Sequence, residues 1–453
     1  MTELLDLCYD VLIRILEEIN PEDLAACALT SRGFNEFIKK NKRLYKAHYL
    51  RILDDPRRKP RDPEPEWVPE LQKIVKCRRI LQSADNFLKR DEFGFVASTV
   101  ESLIATASTD QFNHSQNQNL VSQSFSISQN HDAFMCRSSL YSRAGTEYQK
   151  AADDEESRQL SAKLLCLFGI PSSTIGRRVL STHSYARSRV YDLRTYTDKT
   201  QWGPFRDDGS MRTDWEMVES LMIVLAYNSG LCCRRFLQNF RPPWSEPLEG
   251  VVPRQADGVS NALTRELDVP LQLRDPYNVS GLWSRIVCFM DYNDLYQFNF
   301  SSQAMKVPSD EPREPLNTEE AIRHILMDLQ VTSIEPAGEF DNPTLPVVHF
   351  NGKSRAVDAA WDPSANSKIR GSVRLTPSGD VRWQTISVFY GGEERWRSEG
   401  IQVGGVRSKR GVIGTWFDKD FDPHGPAGPT AFWKTCDRGL GEDEDEDESD
   451  EGW

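Results

Sequence analysis

Apolar residues in the first fifty positions recur at the spacing of a helix. The first set falls on one helical face and consists of Val11, Leu12, Ile15, Leu16 and Ile19. Asn20 and Pro21 then predict the start of a second helix, because Asn is a favoured N-cap and Pro a favoured first helical residue. Ser31 is predicted to cap a third helix, which carries apolar residues at helical spacing. Residues 1–53 are therefore predicted to form a three-helix domain.

Proline interrupts this helical pattern. Residues 54–69 hold five Pro residues and are predicted to be an extended connector, because Pro lacks a backbone donor and stops a helix. Helical spacing returns over residues 70–241, apart from residues 108–131, whose Ser, Gln and Asn content predicts a flexible loop. Residues 242–270 contain Pro and Gly and are predicted to be a second connector.

From residue 271 onwards the apolar positions mostly alternate with polar ones. Residues 371–376 and 381–390 alternate around a short turn that contains Gly379, which predicts a β-hairpin. Residues 295–300 also alternate and are predicted to be a strand, whereas residues 320–329 have helical spacing and are predicted to be a helix. Region 271–436 is therefore predicted to be an antiparallel β sandwich or barrel, in an α+β multidomain chain.

Composition adds an acidic tail to this picture. Nine acidic residues between Glu442 and Glu451 account for most of the net charge of −13, and residues 437–453 are predicted to be a disordered tail. No basic face predicts a nucleic-acid partner, and no apolar run reaches the eighteen residues that would predict a membrane partner. Nine Cys residues without a C-x-x-C pair or a signal sequence predict a cytoplasmic and/or nuclear protein with reduced thiols.

The N-terminal domain resembles a known family. Its apolar register from Leu7 to Phe34, together with Asn20-Pro21 and Asp23-Leu24, resembles the F-box, although the family usually has Leu-Pro where this chain has Leu7-Cys8. The resemblance implies that the domain binds the adaptor protein of an SCF-type cullin–RING ubiquitin ligase. The residues implied to face the adaptor, or to support that face, are Leu7, Cys8, Val11, Leu12, Ile15, Leu16, Pro21 and Leu24.

Four later segments carry a second resemblance. They lie at residues 186–193, 202–205, 395–400 and 416–426 and resemble fungal F-box domain-containing proteins of unassigned substrate. That resemblance implies a substrate receptor, which links a target protein to the ligase and is not itself an enzyme. The chain also lacks the common metalloprotease, P-loop, hydrolase and dinucleotide-binding motifs.

The β region contains candidates for binding the target. Trp and Arg are enriched at binding hot spots, and the candidate substrate-binding residues are Trp383, Arg395, Trp396, Arg397, Arg407 and Trp416. An acidic or phosphorylated peptide is a candidate ligand, because Arg matches such groups with paired hydrogen bonds. The alternative interpretation places most of these Trp residues in the core and most Arg residues on solvated strand faces.

Two further patterns lie in the β region. Gly281-Leu282-Trp283 resembles the G-x-W that begins lipocalin-type barrels, so the alternative function is a small-ligand-binding barrel whose F-box serves its own regulation. Asp418, Asp420, Asp422 and His424 suggest metal ligands, but counting from Asp418 the common calcium loop would need Gly at the sixth position and Glu at the twelfth. No metal and no cofactor are predicted.

Overall fold

The computed structural model describes residues 4, 7–57, 61–109, 114–145, 154–236, 241–251, 270–357 and 366–439. Their contacts divide the chain into two compact units, and the division falls between Phe134 and Met135. The predicted helical region 70–241 therefore contributes to both units. Most of the predicted acidic tail, and residues 252–269 of the predicted second connector, lie outside the described residues.

The first unit is helical. Its helices are α1 (Tyr9–Glu18), α2 (Pro21–Thr30), α3 (Arg32–Lys40), α4 (Lys42–Ile52), α5 (Trp67–Gln82), α6 (Asn86–Asp91), α7 (Phe93–Ala105), α8 (Gln116–Phe125) and α9 (Ser128–Met135). The three predicted N-terminal helices are α1 to α3, and a fourth helix, α4, packs against α1 and α5. Ser31 caps α3 as predicted, because its hydroxyl accepts a hydrogen bond from the N–H of Phe34.

The prediction of a flexible loop over residues 108–131 is wrong, because α8 and the first half of α9 lie there. The polar side chains in this segment pair with the backbone and with side chains outside the segment, such as Asp54 and Asn86. Ser115 caps α8 at the N–H of Gln118, and the buried Asn117 amide donates to the carbonyl of Leu103. Val121 and Phe125 are buried on the same helix. The polar composition of this segment therefore does not indicate a loop, because amide side chains can be buried in a helix when their hydrogen bonds are made.

In its described residues, the second unit joins seven α-helices to a β-barrel. The helices are α10 (Ser139–Arg143), α11 (Glu155–Phe168), α12 (Thr174–Leu180), α13 (His183–Val190), α14 (Trp215–Phe236), α15 (Leu271–Arg274) and α16 (Tyr292–Phe300). The strands are β1 (Gly281–Met290), β2 (Glu320–Glu335), β3 (Val347–Ala356), β4 (Ser367–Leu375), β5 (Val381–Val388), β6 (Glu394–Gln402), β7 (Val412–Asp418) and β8 (Ala427–Cys436).

The eight strands form a closed barrel in chain order. Each strand is antiparallel to the next, and β1 closes the barrel by pairing with β8. This confirms the predicted antiparallel β region and decides for a barrel rather than a sandwich. The predicted hairpin is β4–β5, in which Val373 pairs with Trp383 and Gly379 adopts a φ of +90° in the turn.

Two predictions within the β region are wrong. Residues 295–300 belong to α16, which Asp291 caps at the N–H of Asn293 and which buries Leu295 and Asn299 one turn apart. Residues 320–329 belong to β2, whose neighbours β1 and β3 hold it in an extended conformation. Tertiary pairing overrides local propensity in both segments.

An apolar core fills one half of the barrel, at the end where β1 begins. Trp283 on β1, Trp383 on β5 and Phe432 on β8 meet there, with ring centroids 4.9 to 5.8 Å apart. Since β5 is not adjacent to the neighbouring strands β1 and β8, these ring contacts cross the interior and mark the inward face of the barrel. Every second residue along each strand shares that face.

The helices cover part of the outside of the barrel. α14 packs against β1, β2, β7 and β8, and α11, α12 and α13 pack against α14. Glu320 at the start of β2 joins the two layers, because it pairs with Arg187 at 2.6 Å and accepts from Tyr191 at 2.5 Å and Asn228 at 2.8 Å. Among the described residues, no helix has the length and apolar character needed to cross a membrane.

Candidate functional site

The N-terminal domain has its own apolar core. Leu12, Leu16, Leu24, Ile38 and Leu44 form this core and are at most 2% exposed. Pro21 is also buried, at the start of α2. Four of the eight predicted adaptor residues (Leu12, Leu16, Pro21 and Leu24) therefore support the fold of the domain and are not available for direct contact.

The other four predicted residues line the outside of α1. Leu7, Val11 and Ile15 are 37%, 45% and 38% exposed, and Cys8 is also exposed. Val11 and Ile15 are one helical turn apart and so share a face. We call Leu7, Cys8, Val11 and Ile15 the α1 stripe. Its exposed apolar side chains lie next to each other in sequence and in space, which is typical of a protein-binding surface.

Polar contacts from α4 and from the end of α3 fix the position of α1. The Arg51 guanidinium donates to the carbonyls of Glu17 and Ile19, both at 2.6 Å, at the C-terminal end of the helix. The imidazole Nε2 of His48 lies 2.9 Å from the carbonyl of Leu16, and burial lowers the pKa of His48. At the other end, Asn41 donates to the hydroxyl of Tyr9 at 2.9 Å. The α1 stripe is therefore held at both ends.

Two of the predicted substrate-binding residues hold the barrel together. Trp383 is 1% exposed in the apolar core and donates from Nε1 to the amide oxygen of Gln402 at 3.0 Å. Arg407 donates to the carbonyls of Asp275 and Pro276 at 3.1 and 2.9 Å, which anchors the chain before β1. Trp383 is therefore not available at the surface, and the prediction of a substrate-binding role is wrong for it. Arg407 is half-buried, and two of its guanidinium nitrogens are occupied by backbone carbonyls.

The remaining four candidates lie at the opposite end of the barrel. Arg395 is about half exposed and pairs with Glu393 at 2.8 Å. Arg397 donates to the carbonyl of Lys419 at 3.0 Å on the outer face. Trp396 and Trp416 occupy inward-facing positions, where their rings meet edge to face at 5.2 Å. These four residues therefore lie at one rim of the barrel, and Trp396 and Trp416 are on its inner side.

The inward face near this rim is polar, unlike the apolar half below it. The hydroxyls of Thr385 and Ser398 lie 2.6 Å apart, and those of Ser354 and Ser367 lie 2.7 Å apart. Arg285 on β1 lies on the same face. We call this part of the interior the polar half of the barrel. The sequence analysis did not identify Arg285 or the hydroxyls, although their alternation with apolar core positions was a signal.

The acidic cluster between β7 and β8 forms a turn. Asp418 accepts from the N–H of Asp420 at 2.8 Å, and Asp422 accepts from the N–H of His424 at 2.9 Å. Asp420, Asp422 and His424 are exposed to solvent. These carboxylates act in local turn hydrogen bonds.

Comparison with known proteins identifies one domain. The F-box domain matches residues 4–46, which include α1, α2, α3 and the start of α4. No curated protein and no solved structure matches the chain. F-box domains bind the adaptor of SCF-type ubiquitin ligases and through it the cullin machinery, so this domain supports a role of the adaptor type. The chain is an F-box domain-containing protein.

Proposed function

We propose that this chain is a non-catalytic substrate receptor of an SCF-type cullin–RING ubiquitin ligase. The F-box domain binds the ligase adaptor, and the second unit binds a target protein through its barrel. Catalysis then belongs to the enzymes that the ligase recruits. The proposed site of action is the cytoplasm and/or the nucleus.

The observation that carries this proposal is the exposed α1 stripe. Fully burying an exposed large aliphatic side chain contributes about 1.5–3 kcal/mol. Val11 and Ile15 are 45% and 38% exposed, so covering their exposed parts supplies about 1–2 kcal/mol in all. The apolar core of the domain is formed by other residues. Covering the α1 stripe with the adaptor accounts for its exposure.

The test exchanges apolar for charged residues on the α1 stripe. The double variant Val11→Asp/Ile15→Asp is expected to weaken adaptor binding at least 100-fold, because it places two unpaired charges in the interface. Binding to purified adaptor is measured by calorimetry. The control is Phe87→Asp on α6, an exposed apolar residue of the same unit outside the F-box domain, and it should bind normally.

The buried leucines are unsuitable for this test. Replacing Leu12 or Leu24 by Ala removes core volume and lowers the stability of the domain, so loss of binding would have two explanations. The stripe variants should keep the melting temperature of the wild-type chain, since their positions are exposed. Unchanged adaptor binding by Val11→Asp/Ile15→Asp would refute the proposed docking face.

For target binding we propose the rim that carries Arg395, Trp396 and Arg397. Arg395 is about half exposed and forms an ion pair with Glu393, itself exposed, so an acidic or phosphorylated peptide is able to displace Glu393. Arg397 adds a second guanidinium, which lies 5.2 Å from the ring of Phe421. Paired hydrogen bonds to an anionic group would then favour such targets over neutral ones.

Co-purification tests this rim. The Val11→Asp/Ile15→Asp chain should no longer bind the ligase, so its targets should remain bound to it and co-purify. These targets are compared with those of a chain that also carries Arg395→Glu. We expect Arg395→Glu to release the targets, and Lys353→Glu, at an outward-facing position on β3, to retain them. Equal recovery with Arg395→Glu would show that targets bind elsewhere.

A further inference from the structure

Arg285 places a guanidinium inside the barrel. It follows Trp283 by two residues on β1 and therefore shares the inward face. Its Nε donates to the hydroxyl of Thr430 at 3.0 Å, and its guanidinium lies 5.9 Å from the ring of Phe432. The residue is 5% exposed.

This guanidinium lacks the partners that other buried arginines of the second unit have. Arg187 pairs with Glu320 at 2.6 Å, and Arg410 donates to backbone carbonyls at 2.8 to 3.0 Å. No carboxylate of the described residues forms an ion pair with Arg285, and its one hydrogen bond uses Nε. Burial without a compensating charge lowers its pKa to about 10. Two terminal nitrogens, Nη1 and Nη2, therefore remain for another partner.

The surroundings of Arg285 are suited to a ligand. Thr385 and Ser398 provide hydroxyls on the inward face of the polar half. Trp396 and Trp416 provide flat apolar surfaces at the rim, where Trp416 is fixed by a hydrogen bond from Nε1 to the carbonyl of Cys288 at 2.9 Å. An eight-stranded barrel has room for side chains or for one small ligand.

Solvent reaches this end of the barrel along β2. Ala321 and Arg323 occupy inward-facing positions, since they pair with Phe289 and Val287 of β1, and yet both are exposed. Arg323 adds a second positive charge near the rim and lies 5.4 Å from the ring of Phe289. An anion that enters along β2 would therefore pass Arg323.

We propose that the polar half of the barrel binds a ligand through its carboxylate group, which accepts paired hydrogen bonds from Arg285. A carboxylate matches the two parallel donors of a guanidinium and supplies the missing charge. Thr385 and Ser398 bind polar atoms of the ligand, and Trp396 and Trp416 pack against its apolar part. The carboxylate comes from a free organic acid or from the C-terminus of a polypeptide. This inference does not rest on docking to the ligase.

The test compares acids with their uncharged amides on the full-length chain. One arm uses 4-phenylbutyrate, octanoate and their primary amides. The other uses tetrapeptides that end in an aromatic residue, with either a free or an amidated C-terminus. Binding is followed by ligand-observed NMR and by quenching of Trp fluorescence. We expect at least one acid to bind at least tenfold more tightly than its amide.

Two variants locate the site. Arg285→Gln should abolish the preference for the acid, whereas Arg370→Gln should keep it, because Arg370 lies on the outward face of β4 and is more than half exposed. Binding of small acids alone identifies a metabolite-type ligand, and binding of free-ended peptides identifies a chain terminus. Both results support the carboxylate site.

Other outcomes overturn the proposal. These are equal binding of acids and amides, equal binding by the wild-type and Arg285→Gln chains, or no binding by either arm. The acid–amide comparison uses only the wild-type chain, so it stays decisive if Arg285→Gln fails to fold. Adaptor binding is measured separately, and its loss would leave this result unchanged.

Discussion

Glu219 predicts a pH dependence of stability that can be worked out from its surroundings. It lies on α14 with no exposed surface, and its Oε2 accepts from the hydroxyl of Ser138 at 2.5 Å. No described residue donates to its Oε1. Burial is the main cause that raises the pKa of Glu219, Glu216 raises it further, and the two together outweigh Ser138, so that the pKa is about 8. The folded protein therefore favours the protonated carboxyl.

The magnitude follows from the two pKa values. An unfolded Glu titrates near 4.5. The raised pKa therefore makes its full contribution to the free energy of unfolding below that pH, and this contribution is lost as pH rises towards 8. Each pH unit in that window costs about 1.4 kcal/mol. At pH 7 the expected loss is on the order of 3 kcal/mol relative to pH 4.5, which is a large part of a typical stability of about 5–15 kcal/mol.

The perturbation is Glu219→Gln, which keeps the shape and removes the titration. Urea unfolding is followed by Trp fluorescence at pH 5, 6, 7 and 8 for both chains. Other groups titrate equally in the two proteins, so the difference in unfolding free energy isolates Glu219. We expect the variant to gain about 1.4 kcal/mol per pH unit over the wild type. A difference that stays constant from pH 5 to 8 would refute the raised pKa, and exposed Glu339→Gln is the control.

Three other predictions concern stability. Arg410→Met should lower the free energy of unfolding in urea by about 3–5 kcal/mol, because it leaves the carbonyls of Pro243, Glu246 and Glu249 without their buried donor. A decrease below 1 kcal/mol would contradict this role. Leu12→Ala should destabilise the F-box domain by about 2–5 kcal/mol, with faster amide exchange in α1 to α4 and unchanged exchange in the barrel. Gly414→Ala should lower the melting temperature of the barrel unit, because a Cβ there would lie 1.9 Å from the carbonyl oxygen of Glu399; an unchanged melting temperature would show that β6 and β7 can separate at little cost.

The sequence was sufficient where local chemistry decides the structure. The N-terminal helices follow from apolar spacing, Pro21 and the Ser31 cap, and the β4–β5 hairpin follows from alternation around Gly379. It was insufficient for residues 320–329. α14 packs against β2 from outside while Met327 and Leu329 point into the core, so apolar residues occur on both faces and the two-residue period is lost.

The candidate site was harder to predict than the fold. Alternation shows which residues of a strand share a face, but not which face points into the barrel. Trp383 was therefore assigned to the surface although it lies in the core, and Arg407 was assigned to a partner although it binds backbone carbonyls. Arg285 was overlooked because a charged residue is usually exposed. Its spacing of two from Trp283 was the available signal.

Closure of the barrel has a consequence for how a target can be recognised. Many receptors bind extended peptides by β-augmentation, in which the peptide adds a strand to an open sheet edge. Pairing of β1 with β8 leaves this sheet without an edge strand. A target would therefore be read through side chains, at the mouth of the barrel or on its connecting loops, and its backbone would contribute little. Specificity would then depend on the chemistry of a few target groups and hardly at all on the target's ability to form a strand.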